Sequence, residues 1–562
     1  MTAVLTPIAA LLLAGCVAAT SMQDDPAYEL LFERRHCWYP YPLPREHHPE
    51  EIERMLAQGF DTVGLIFVGP YNGGDVDWSV LDEYADRLER DGRGLLLHIC
   101  PRFNADEGVC DTLSDGRVVE NRYDRNPNYA MCDVFDPAQR EKFCDYVRLA
   151  AERYGSRAVG LVIGWGYQGE TGFYNGDFNS GWEKFGSECA GYSQHALEEF
   201  NRWRRGRGRA PVDVLPLPST ERQSDEYIDF MRFRLDFVST VFHYDAVDAA
   251  SMVCDVPVGL YGYWCFSPES YARNWCPTPN ADFYRSAGSA GSFDSQWCLV
   301  DSGIGWEEAW MHDGGFDNTA ACMIRDEARQ MAHGSVFHAM YCRVYDTEDK
   351  WEEGVYEKVC RFLLSTDLPE RVEFSEPSVG LFSPTWSVAC IPSASDAQPF
   401  LPREAERVVL RKMAGTLESF GLPYERLVEE DLYGPSWMSC YDLVVVPMAE
   451  HLERFLPAPS LRTLRRMDNV FLWKLSDGRL TRSRLRRELA SRGLAARLDY
   501  EGDDLTAGLV NDVLFNWTPQ QRRVRLSPGM GDRAVTLGPH EWVVVDDLEW
   551  DEPAEEGPAE PD

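Results

Sequence analysis

Short apolar runs alternate with longer amphipathic stretches from about residue 29 to residue 346. Apolar runs of about four to eight residues predict buried strands, and apolar residues three and four positions apart predict helices that cover them. Repeated strand–helix units are typical of a parallel sheet, and eight of them indicate a (β/α)8 TIM barrel. The predicted strands are His36–Tyr39, Thr62–Phe67, Gly94–Cys100, Val159–Gly164, Val256–Tyr261, Ser292–Leu299, Gly303–Trp306 and Ser335–Cys342.

Five amphipathic stretches between these strands predict helices. They are Pro49–Gln58, Trp78–Arg90, Pro137–Tyr154, Asp225–Ser251 and Ala320–Ala332. No helix fits between the sixth and seventh predicted strands, so we expect a remodelled site at that point.

Two further domains are predicted after the barrel, which we assign to residues 25–370. Residues 371–500 contain strands near Gly380–Phe382 and Leu443–Pro447 with a helix at Arg403–Phe420 between them, which predicts a smaller, flavodoxin-like α/β domain. The uninterrupted apolar run Leu443–Val446 is typical of a strand covered on both faces. Residues 501–548 alternate in short stretches and predict a small β-sandwich, and the acidic tail 549–562 is expected to be disordered.

The amino-acid composition, and above all the net charge, excludes some classes of binding partner. The chain has 562 residues, too many for one ordinary domain, and its 55 basic and 92 acidic residues give a net charge of −37. Such a charge repels polyphosphates and anionic membrane surfaces, so nucleic acid is excluded as an expected partner.

The N-terminal segment is predicted to direct export. Residues 3–15 form an apolar run too short to span a bilayer, and Leu13–Cys16 resembles the lipobox of bacterial lipoprotein signal peptides. We therefore predict a signal peptide and linker in residues 1–24 and a periplasmic or cell-surface lipoprotein, held at the membrane only by a lipid on Cys16. An ordinary cleaved signal peptide or a misassigned start codon remain alternatives.

Sixteen cysteines occur in the chain without a CxxC pair and without a Cys/His set of zinc-like spacing. We therefore predict no metal and no cofactor. Disulfide bonds and buried free thiols are both open for these cysteines.

Carboxylates follow two predicted strands at the end where barrel enzymes place their chemistry. Glu170 ends a Gly-rich and aromatic stretch after the fourth strand, and Glu307 and Glu308 follow the seventh. Glycoside hydrolysis needs two carboxyl groups, one acid and one nucleophile or base. The other interpretation is that these residues only keep an acidic surface soluble.

Aromatic residues near these carboxylates could stack on sugar rings, although packing in the core is the alternative for each of them. The candidates for substrate binding are Trp165, Tyr167, Trp264, Trp297, Trp306 and Trp310.

Several motifs resemble the glycoside hydrolase family 42 β-galactosidases. His36–Pro40 resembles the Tyr-Tyr-Pro of the family's first strand, and Val76–Asp82 its F-D-W-x-x-L-D helix start. Tyr154–Glu170 resembles the run that ends in the family's acid/base. Ala332-His333-Gly334, followed by Arg343, resembles its eighth strand.

This resemblance implies roles for individual residues. Glu170 would be the general acid/base and Glu307 the nucleophile, with Glu308 as the fallback, while Arg343 would contact substrate. The implied substrate is a carbohydrate, with a β-galactoside first and an α-L-fucoside or arabinoside as alternatives. Likeness to the family's second domain also implies a homotrimer.

Two departures from the family pattern leave a rival interpretation open. Gly169 stands where the family has an Asn that hydrogen-bonds the sugar 2-hydroxyl, and Cys189 stands alone where some members have a cysteine cluster for zinc. The rival is a non-catalytic carbohydrate-binding lipoprotein that keeps the barrel as a scaffold.

Overall fold

The computed structural model covers the greater part of the predicted barrel and portions of both later segments. It describes residues 34–44, 47–70, 76–102, 112–117, 133–163, 191–217, 224–237, 243–261, 298–299, 338–340, 354–365, 377–382, 413, 415–427, 435–447, 449–454, 456, 458–474, 481–502, 505–510, 512–516, 518, 520–527, 533–539 and 541–545.

Within these residues, seven strands of the first segment form one parallel sheet. They are β1 (His36–Leu43), β2 (Thr62–Pro70), β3 (Gly94–Arg102), β4 (Ala158–Ile163), β5 (Val258–Tyr261), β6 (Cys298–Leu299) and β7 (His338–Met340). Seven of the eight predicted strands are therefore confirmed. The other, Gly303–Trp306, lies outside the described residues.

The order of these strands is cyclic. It runs β6-β5-β4-β3-β2-β1-β7, so that the last strand in the chain lies beside the first. His338 pairs with His36 and Met340 with Trp38, both in parallel register. A (β/α)8 barrel has this order, because its sequential strands return to the first one. The predicted strand Gly303–Trp306 falls between β6 and β7 in the chain, where the order has one position left.

Helices follow the strands and bury apolar faces in the same core. They are α1 (Pro49–Ala57), α2 (Ser79–Arg90), α3 (Pro137–Tyr154), α4 (Gln194–Gly206), α5 (Asp225–Asp236), α6 (His243–Ser251) and α7 (Val355–Ser365). The predicted helix over 225–251 is described as α5 and α6, with residues 238–242 outside the described part. The predicted helix Ala320–Ala332 also lies outside it.

Helix α2 shows how apolar spacing fixes a helix on the sheet. Leu81, Tyr84 and Leu88 recur at intervals of three and four residues and are all buried. Trp78, just before the helix, stacks on Phe67 of β2 with ring centres 4.7 Å apart. The helix is thereby attached to the strand that precedes it.

Gly64 of β2 lets the side chain of Trp38 pack closely against the backbone of this strand. A Cβ atom built at this residue overlaps the indole ring of Trp38 on the neighbouring strand β1. Trp38 is almost completely buried and stacks on His98 of β3, with ring centres 5.5 Å apart. The large ring fits because residue 64 has no side chain.

The middle segment contains a second parallel sheet. Its strands are β8 (Val379–Phe382), β9 (Tyr424–Leu427), β10 (Leu443–Val446) and β11 (Val470–Leu472), in the order β11-β10-β8-β9. Leu443 and Val445 lie in one buried cluster, whereas Val444 and Val446 lie in another. Strand β10 is therefore covered on both faces, as its uninterrupted apolar sequence predicts.

Helices of the same segment complete this α/β unit. Helix α8 spans Ala458–Leu464 and helix α9 spans Arg482–Ser491. Leu461 and Leu464 of α8 lie in one of the two clusters, and Leu485 and Leu489 of α9 lie in the other. The two helices thus cover opposite faces of the sheet.

The C-terminal segment forms two antiparallel sheets of three strands within the described residues. The strands are β12 (Leu498–Asp499), β13 (Ala507–Val510), β14 (Val513–Asn516), β15 (Arg522–Leu526), β16 (Arg533–Leu537) and β17 (Trp542–Val544). Leu498 and Val524 of one sheet share a buried cluster with Leu509 and Leu514 of the other. This arrangement is a small β-sandwich, and its first described strand is Leu498–Asp499.

Trp542 of β17 links the sandwich to the barrel. Its partly buried side chain packs against the barrel core and against a small cluster of Val510, Val513 and Phe515. Among the described helices, none is both long and apolar enough to span a bilayer.

Candidate active site

Strands β4 and β5 reach the same level at their carboxyl ends, whereas β3 continues beyond that level to Arg102. Ile163, the last residue of β4, pairs with Ile99 of β3 and with Leu260 of β5. Strand β5 pairs in turn with β6 through Tyr261 and Leu299. Because all these strands run in one direction, the segments that follow them start at one face of the barrel.

The segments with the predicted carboxylates follow β4 and β6. Only β5 separates these two strands, and two inter-strand steps amount to about 10 Å; the predicted strand Gly303–Trp306 would place the start of the Glu307 segment one step further away. Long side chains from segments that start so close together can reach a common point. The strand order therefore suits a site that takes one carboxyl group from each segment.

The predicted site residues themselves lie outside the described part of the chain, so their side chains have no described position. They are Glu170, Glu307, Glu308, Trp165, Tyr167, Trp264, Trp297, Trp306, Trp310 and Arg343. Their roles stay predictions. Nine of the ten follow β4, β5, β6 or β7 in the chain, and Trp297 directly precedes β6.

At the same face, a buried carboxylate joins the chain before α3 to the start of α4. Asp133 accepts hydrogen bonds from the backbone N–H of Phe135 and from Nδ1 of His195, each at 3.0 Å. Hydrogen bonding from the Ser193 side chain also lowers the pKa of this carboxyl group. The Asp133 side chain is 3% exposed, whereas that of His195 is 37% exposed. We call Asp133, Ser193 and His195 the Asp133 cluster.

Burial and hydrogen bonding shift the pKa of Asp133 in opposite directions. Burial raises the pKa of this carboxyl group, and the bonds from Ser193 and His195 oppose that shift. A carboxylate in such surroundings depends on its donors, because removing one leaves a buried charge poorly solvated.

Charged groups around the cluster are themselves paired. Arg140 of α3 donates to the carbonyl oxygens of Val134 and Phe135, and its guanidinium lies 3.9 Å from the carboxylate of Glu199 on α4. These contacts hold the two helices together on either side of Asp133.

A second contact lies beside the cluster. The backbone N–H of Tyr192 donates to the carbonyl oxygen of Thr112 at 2.9 Å. The Tyr192 hydroxyl donates to the carbonyl oxygen of Pro216, and its ring packs edge-on against Phe230 at 5.3 Å. The chain is therefore held at residue 192 as well as at residues 193 and 195.

The Asp133 cluster was not predicted from the sequence. Ser193 could have been recognised as an N-cap, since its hydroxyl accepts from the N–H of Ala196 at 3.0 Å. Asp133 and His195 belong to different strand–helix units, so no local spacing connects them. Only the fold brings them together.

One group of described residues has donor atoms close enough to hold a metal ion. Ligand atoms of His48, Glu50 and Glu51 lie within 4.8 Å of one another at the start of α1. The first turn of a helix carries partial positive charge, which opposes a bound cation. The donor set alone does not establish a site, and the absence of a metal remains a prediction.

Comparison with known proteins shows similarity in structure rather than in sequence. No family model and no curated protein match the chain. The β-galactosidase of Marinomonas ef1 is 12% identical, with a TM-score of 0.53 over 91% of this chain and 99% of its own. That of Bacillus circulans sp. alkalophilus is 13% identical, with a TM-score of 0.53 over 91% and 98%.

A third solved structure carries a family designation. Gan42B, a GH42 β-galactosidase, is 12% identical, with a TM-score of 0.50 over 91% of this chain and 98% of its own. The chain therefore shares the fold of these β-galactosidases over nine-tenths of its length, and the resemblance inferred from the motifs is confirmed at the level of the fold.

Proposed function

We propose that this protein is a retaining glycoside hydrolase that cleaves a glycosidic bond in an oligo- or polysaccharide, with a β-galactoside as the first substrate class. The observation that carries the proposal is the cyclic parallel order of the strands, with the Glu170 segment after β4 and the Glu307 segment after β6. The fold shared with β-galactosidases supports the same activity.

The proposed reaction needs two carboxyl groups. Glu307 attacks the anomeric carbon while the bond from that carbon to the leaving oxygen breaks, and Glu170 gives its proton to that oxygen. Water then attacks the glycosyl ester, Glu170 takes a proton from the water, and Glu307 leaves as a carboxylate. Glu308 takes the place of Glu307 if its carboxylate is the one that faces the sugar.

Each role sets a requirement on its surroundings. In retaining enzymes the two carboxyl groups stand about 5–5.5 Å apart. The acid must be protonated before reaction, and the negative charge of a nearby nucleophile favours this state. Aromatic rings on the same segments, Trp165 and Tyr167 before Glu170 and Trp306 and Trp310 around Glu307, would stack on sugar rings and exclude water. Trp264, Trp297 and Arg343 would complete the substrate contacts.

A second candidate function is carbohydrate binding without hydrolysis. The specific observation in its favour is Gly169, which offers no amide at the position before the proposed acid. It predicts that sugars bind and are released unchanged.

The N-terminal segment and the second domain support two subsidiary proposals. Export with a lipid on Cys16 predicts a lipid-modified N-terminal peptide in mass spectrometry of the native protein, and release from membranes in Cys16→Ala. A homotrimer formed through residues 371–500 predicts three times the chain mass of 64.0 kDa in light scattering.

The function is tested with aryl glycosides and plant or algal oligosaccharides as substrates for wild type, Glu170→Ala, Glu307→Gly and Glu308→Gly, each with and without azide. Glu141→Ala, an exposed glutamate of α3, is the matched control. We expect one class of glycoside to be hydrolysed, and kcat to fall by about 10²-fold or more in Glu170→Ala. Azide should form a glycosyl azide in only one of the two Gly variants, which identifies the nucleophile.

Two other results would change the conclusion. Sugar binding without turnover in every protein supports the binding function instead. Turnover that survives all three substitutions contradicts the assignment of the carboxylates.

A further inference from the structure

The end of helix α4 and the three residues after it are rich in arginine. Residues 202–209 contain five arginines, and no acidic residue occurs between Glu199 and Asp213, although the whole chain has a net charge of −37. Four of the five side chains are exposed, and we call them the arginine patch: Arg202, Arg205, Arg207 and Arg209.

Two carboxylates offset part of this positive charge. Arg202 pairs with Glu199 at 2.5 Å, and the buried carboxylate of Asp229 on α5 is shared by Arg204 and Arg209, at 2.8 and 2.5 Å. Five arginines against two carboxylates leave an excess of three positive charges. The end of α4 is therefore a local cationic surface on an acidic protein.

Arg207 is ordered by an aromatic ring. Its guanidinium carbon lies 3.9 Å from the ring centre of Trp203. Stacking occupies the flat face of a guanidinium, whereas its hydrogen-bond donors lie in the plane of the group. The ring thus fixes this side chain at the surface, which reduces the conformational entropy that a ligand must cost on binding.

Arg205 takes part in no ion pair among the described residues. It is exposed and lies three residues after Arg202 on α4, so the two side chains are neighbours on the helix surface. Like charges placed so close together repel each other, which lowers the stability of the folded protein. Folding alone gives no reason for this arginine.

The helix dipole accounts for only part of the patch. Basic side chains in the last turn of a helix interact favourably with the partial negative charge there, and this effect falls off beyond that turn. Arg204 and Arg205 lie in the last turn of α4, whereas Arg207 and Arg209 follow the end of the helix. The arginines outside the helix need another explanation.

We propose that the arginine patch binds an anionic polysaccharide through its carboxylate or sulfate groups, on the outer surface of the barrel. This inference rests on the proposed function and deepens it, since it identifies the substrate class as a charged polymer rather than a short neutral glycoside.

The chemistry of the patch suits such a ligand in spite of the net charge of the protein. At physiological ionic strength the screening length is about 8 Å, so a ligand on the surface responds mainly to the charges nearest to it. The planar fork of a guanidinium matches oxyanions with two parallel hydrogen bonds. Several arginines in one place can bind successive groups of a polymer.

The position of the patch favours a polymer over a single sugar. The start of α4 lies at the face where the barrel strands end, joined to the chain before α3 by the bond from His195 to Asp133. Helix α4 has 13 residues and is therefore about 20 Å long. Only an extended ligand can contact both the patch and that face.

A lipid surface fits the patch less well. A helix that lies on a membrane buries an exposed apolar face in it. Ala196 and Phe200 of α4 are already buried in the barrel core. The arginines are thus presented without the apolar face that membrane binding requires.

The test measures binding without turnover. The probes are polygalacturonate, which carries carboxylates, κ-carrageenan, which carries sulfate esters, and a neutral β-galactan, each titrated by calorimetry at about 50 mM and about 300 mM NaCl. Vesicles of phosphatidylglycerol and phosphatidylcholine, tested by sedimentation, are the probe for a membrane.

Four variants separate the patch from general charge. Arg205→Ala combined with Arg207→Ala removes two of its cations, and Arg205→Lys combined with Arg207→Lys keeps the charge without the fork. Arg205→Ala alone leaves the stacking on Trp203 intact. Arg487→Ala removes an exposed arginine of α9 and is the matched control. Circular dichroism and thermal unfolding check that each variant is folded.

We expect wild type to bind at least one anionic polymer, with a Kd that rises at the higher salt concentration, and not to bind the neutral galactan in this salt-dependent way. The double Ala variant should raise the Kd about tenfold and Arg205→Ala alone about threefold. The double Lys variant should fall between wild type and the double Ala variant, and Arg487→Ala should stay within about twofold of wild type. The polymer that binds more tightly identifies the anionic group.

Three results would overturn the inference. They are the absence of binding to both anionic polymers, an equal rise of the Kd in Arg487→Ala and in the double Ala variant, and binding to anionic vesicles alone. Hydrolysis of neutral glycosides by a protein that binds neither polymer leaves the proposed function standing. Polymer binding that depends on the patch, in a protein that hydrolyses nothing, supports the inference and contradicts the proposed hydrolysis.

Discussion

The guanidinium carbon of Arg482 lies 3.6 Å from the ring centre of Tyr500. The Arg482 side chain is completely buried, although it belongs to a helix of the α/β unit and Tyr500 follows the first strand of the β-sandwich. It donates hydrogen bonds to the carbonyl oxygens of Ser419, Tyr500 and Gly502. Arg482 therefore links the α/β unit to the β-sandwich and is buried where the two meet.

Arg482→Lys should destabilise this boundary. A lysine is a compact charge that cannot match the planar fork, so buried carbonyl oxygens lose their donors at about 1–3 kcal/mol each. We expect the free energy of unfolding to fall by about 3 kcal/mol. Calorimetry measures this free energy. Arg487→Lys changes an exposed arginine and is the control, which should stay within about 0.5 kcal/mol of wild type. Equal effects of the two variants would contradict this account.

Gly64→Ala should destabilise the barrel because its new methyl group overlaps the indole of Trp38. Overpacking of a core costs about 1–3 kcal/mol. Gly206→Ala is the matched control, since a Cβ at this helical residue meets no atom within 4 Å, and we expect it to be neutral or slightly stabilising. The unfolding midpoint of Gly64→Ala, measured beside that of Gly206→Ala, should be the lower of the two. If they coincide, Trp38 has room to shift.

Asp82 should make stability depend on pH. Arg153 donates to its carboxylate at 2.5 and 3.1 Å and the Tyr154 hydroxyl donates at 2.8 Å, which attaches α2 to α3. The bonds from Arg153 lower the pKa of Asp82 below its ordinary value of 3.8. A lowered pKa stabilises the fold fully above the unfolded value, and this contribution is lost as the pH falls through the folded value.

Asp82→Asn should therefore be less stable than wild type at pH 7, by about 1 kcal/mol for this partly exposed pair. The difference should shrink as the pH falls below 3.8. Melting temperatures from pH 7 down to about pH 3 measure it. Asp86→Asn, which removes a carboxylate that is 68% exposed, should show a smaller effect at every pH. A difference in stability between Asp82→Asn and wild type that grows as the pH falls would contradict this prediction.

The described cysteines should differ in reactivity. Cys37, Cys144, Cys254, Cys360 and Cys440 are free thiols, which answers for these five the question that the sequence left open. Burial raises the pKa of Cys360 to about 12 and that of Cys37 well above its ordinary value, whereas Cys440 is exposed. Iodoacetamide followed by peptide mapping should modify Cys440 in the native protein. Cys37 and Cys360 should react only after unfolding; labelling of either one in the native state would contradict their burial.

Gly169→Asn should raise activity on β-galactosides. The added amide supplies the hydrogen bond to the sugar 2-hydroxyl that the family resemblance implies, and such a bond is worth about tenfold in kcat/KM. Gly169→Ala adds a side chain without the amide and should bring no gain. A gain in both variants would attribute the effect to backbone stiffness.

The predictable parts of the fold are those encoded within short stretches of chain. The run Leu443–Val446 has no polar residue, and both of its faces are buried. The helix Pro137–Tyr154 begins after Asp136, whose side chain caps it, and continues with Pro137 at its first position, so its start is visible in the sequence.

The unpredicted parts depend on contacts between distant residues. No periodic pattern in the sequence indicates the contact between Asp133 and His195 or the contact between Arg482 and Tyr500. The short strand β12 was not predicted either. Leu498 and Asp499 pair with Leu526 and Arg525, and a strand of two residues is too short to show an alternating pattern.

The packing of Trp542 has a consequence for synthesis on the ribosome. The barrel strands are translated from residue 36 to residue 340, and domains generally fold in the order in which they emerge. The surface of the barrel core that Trp542 contacts is covered by a residue made long after the barrel itself. A nascent chain that stops before residue 542 thus carries a barrel with this apolar surface still in water, and its folding is completed only as the last strand leaves the ribosome.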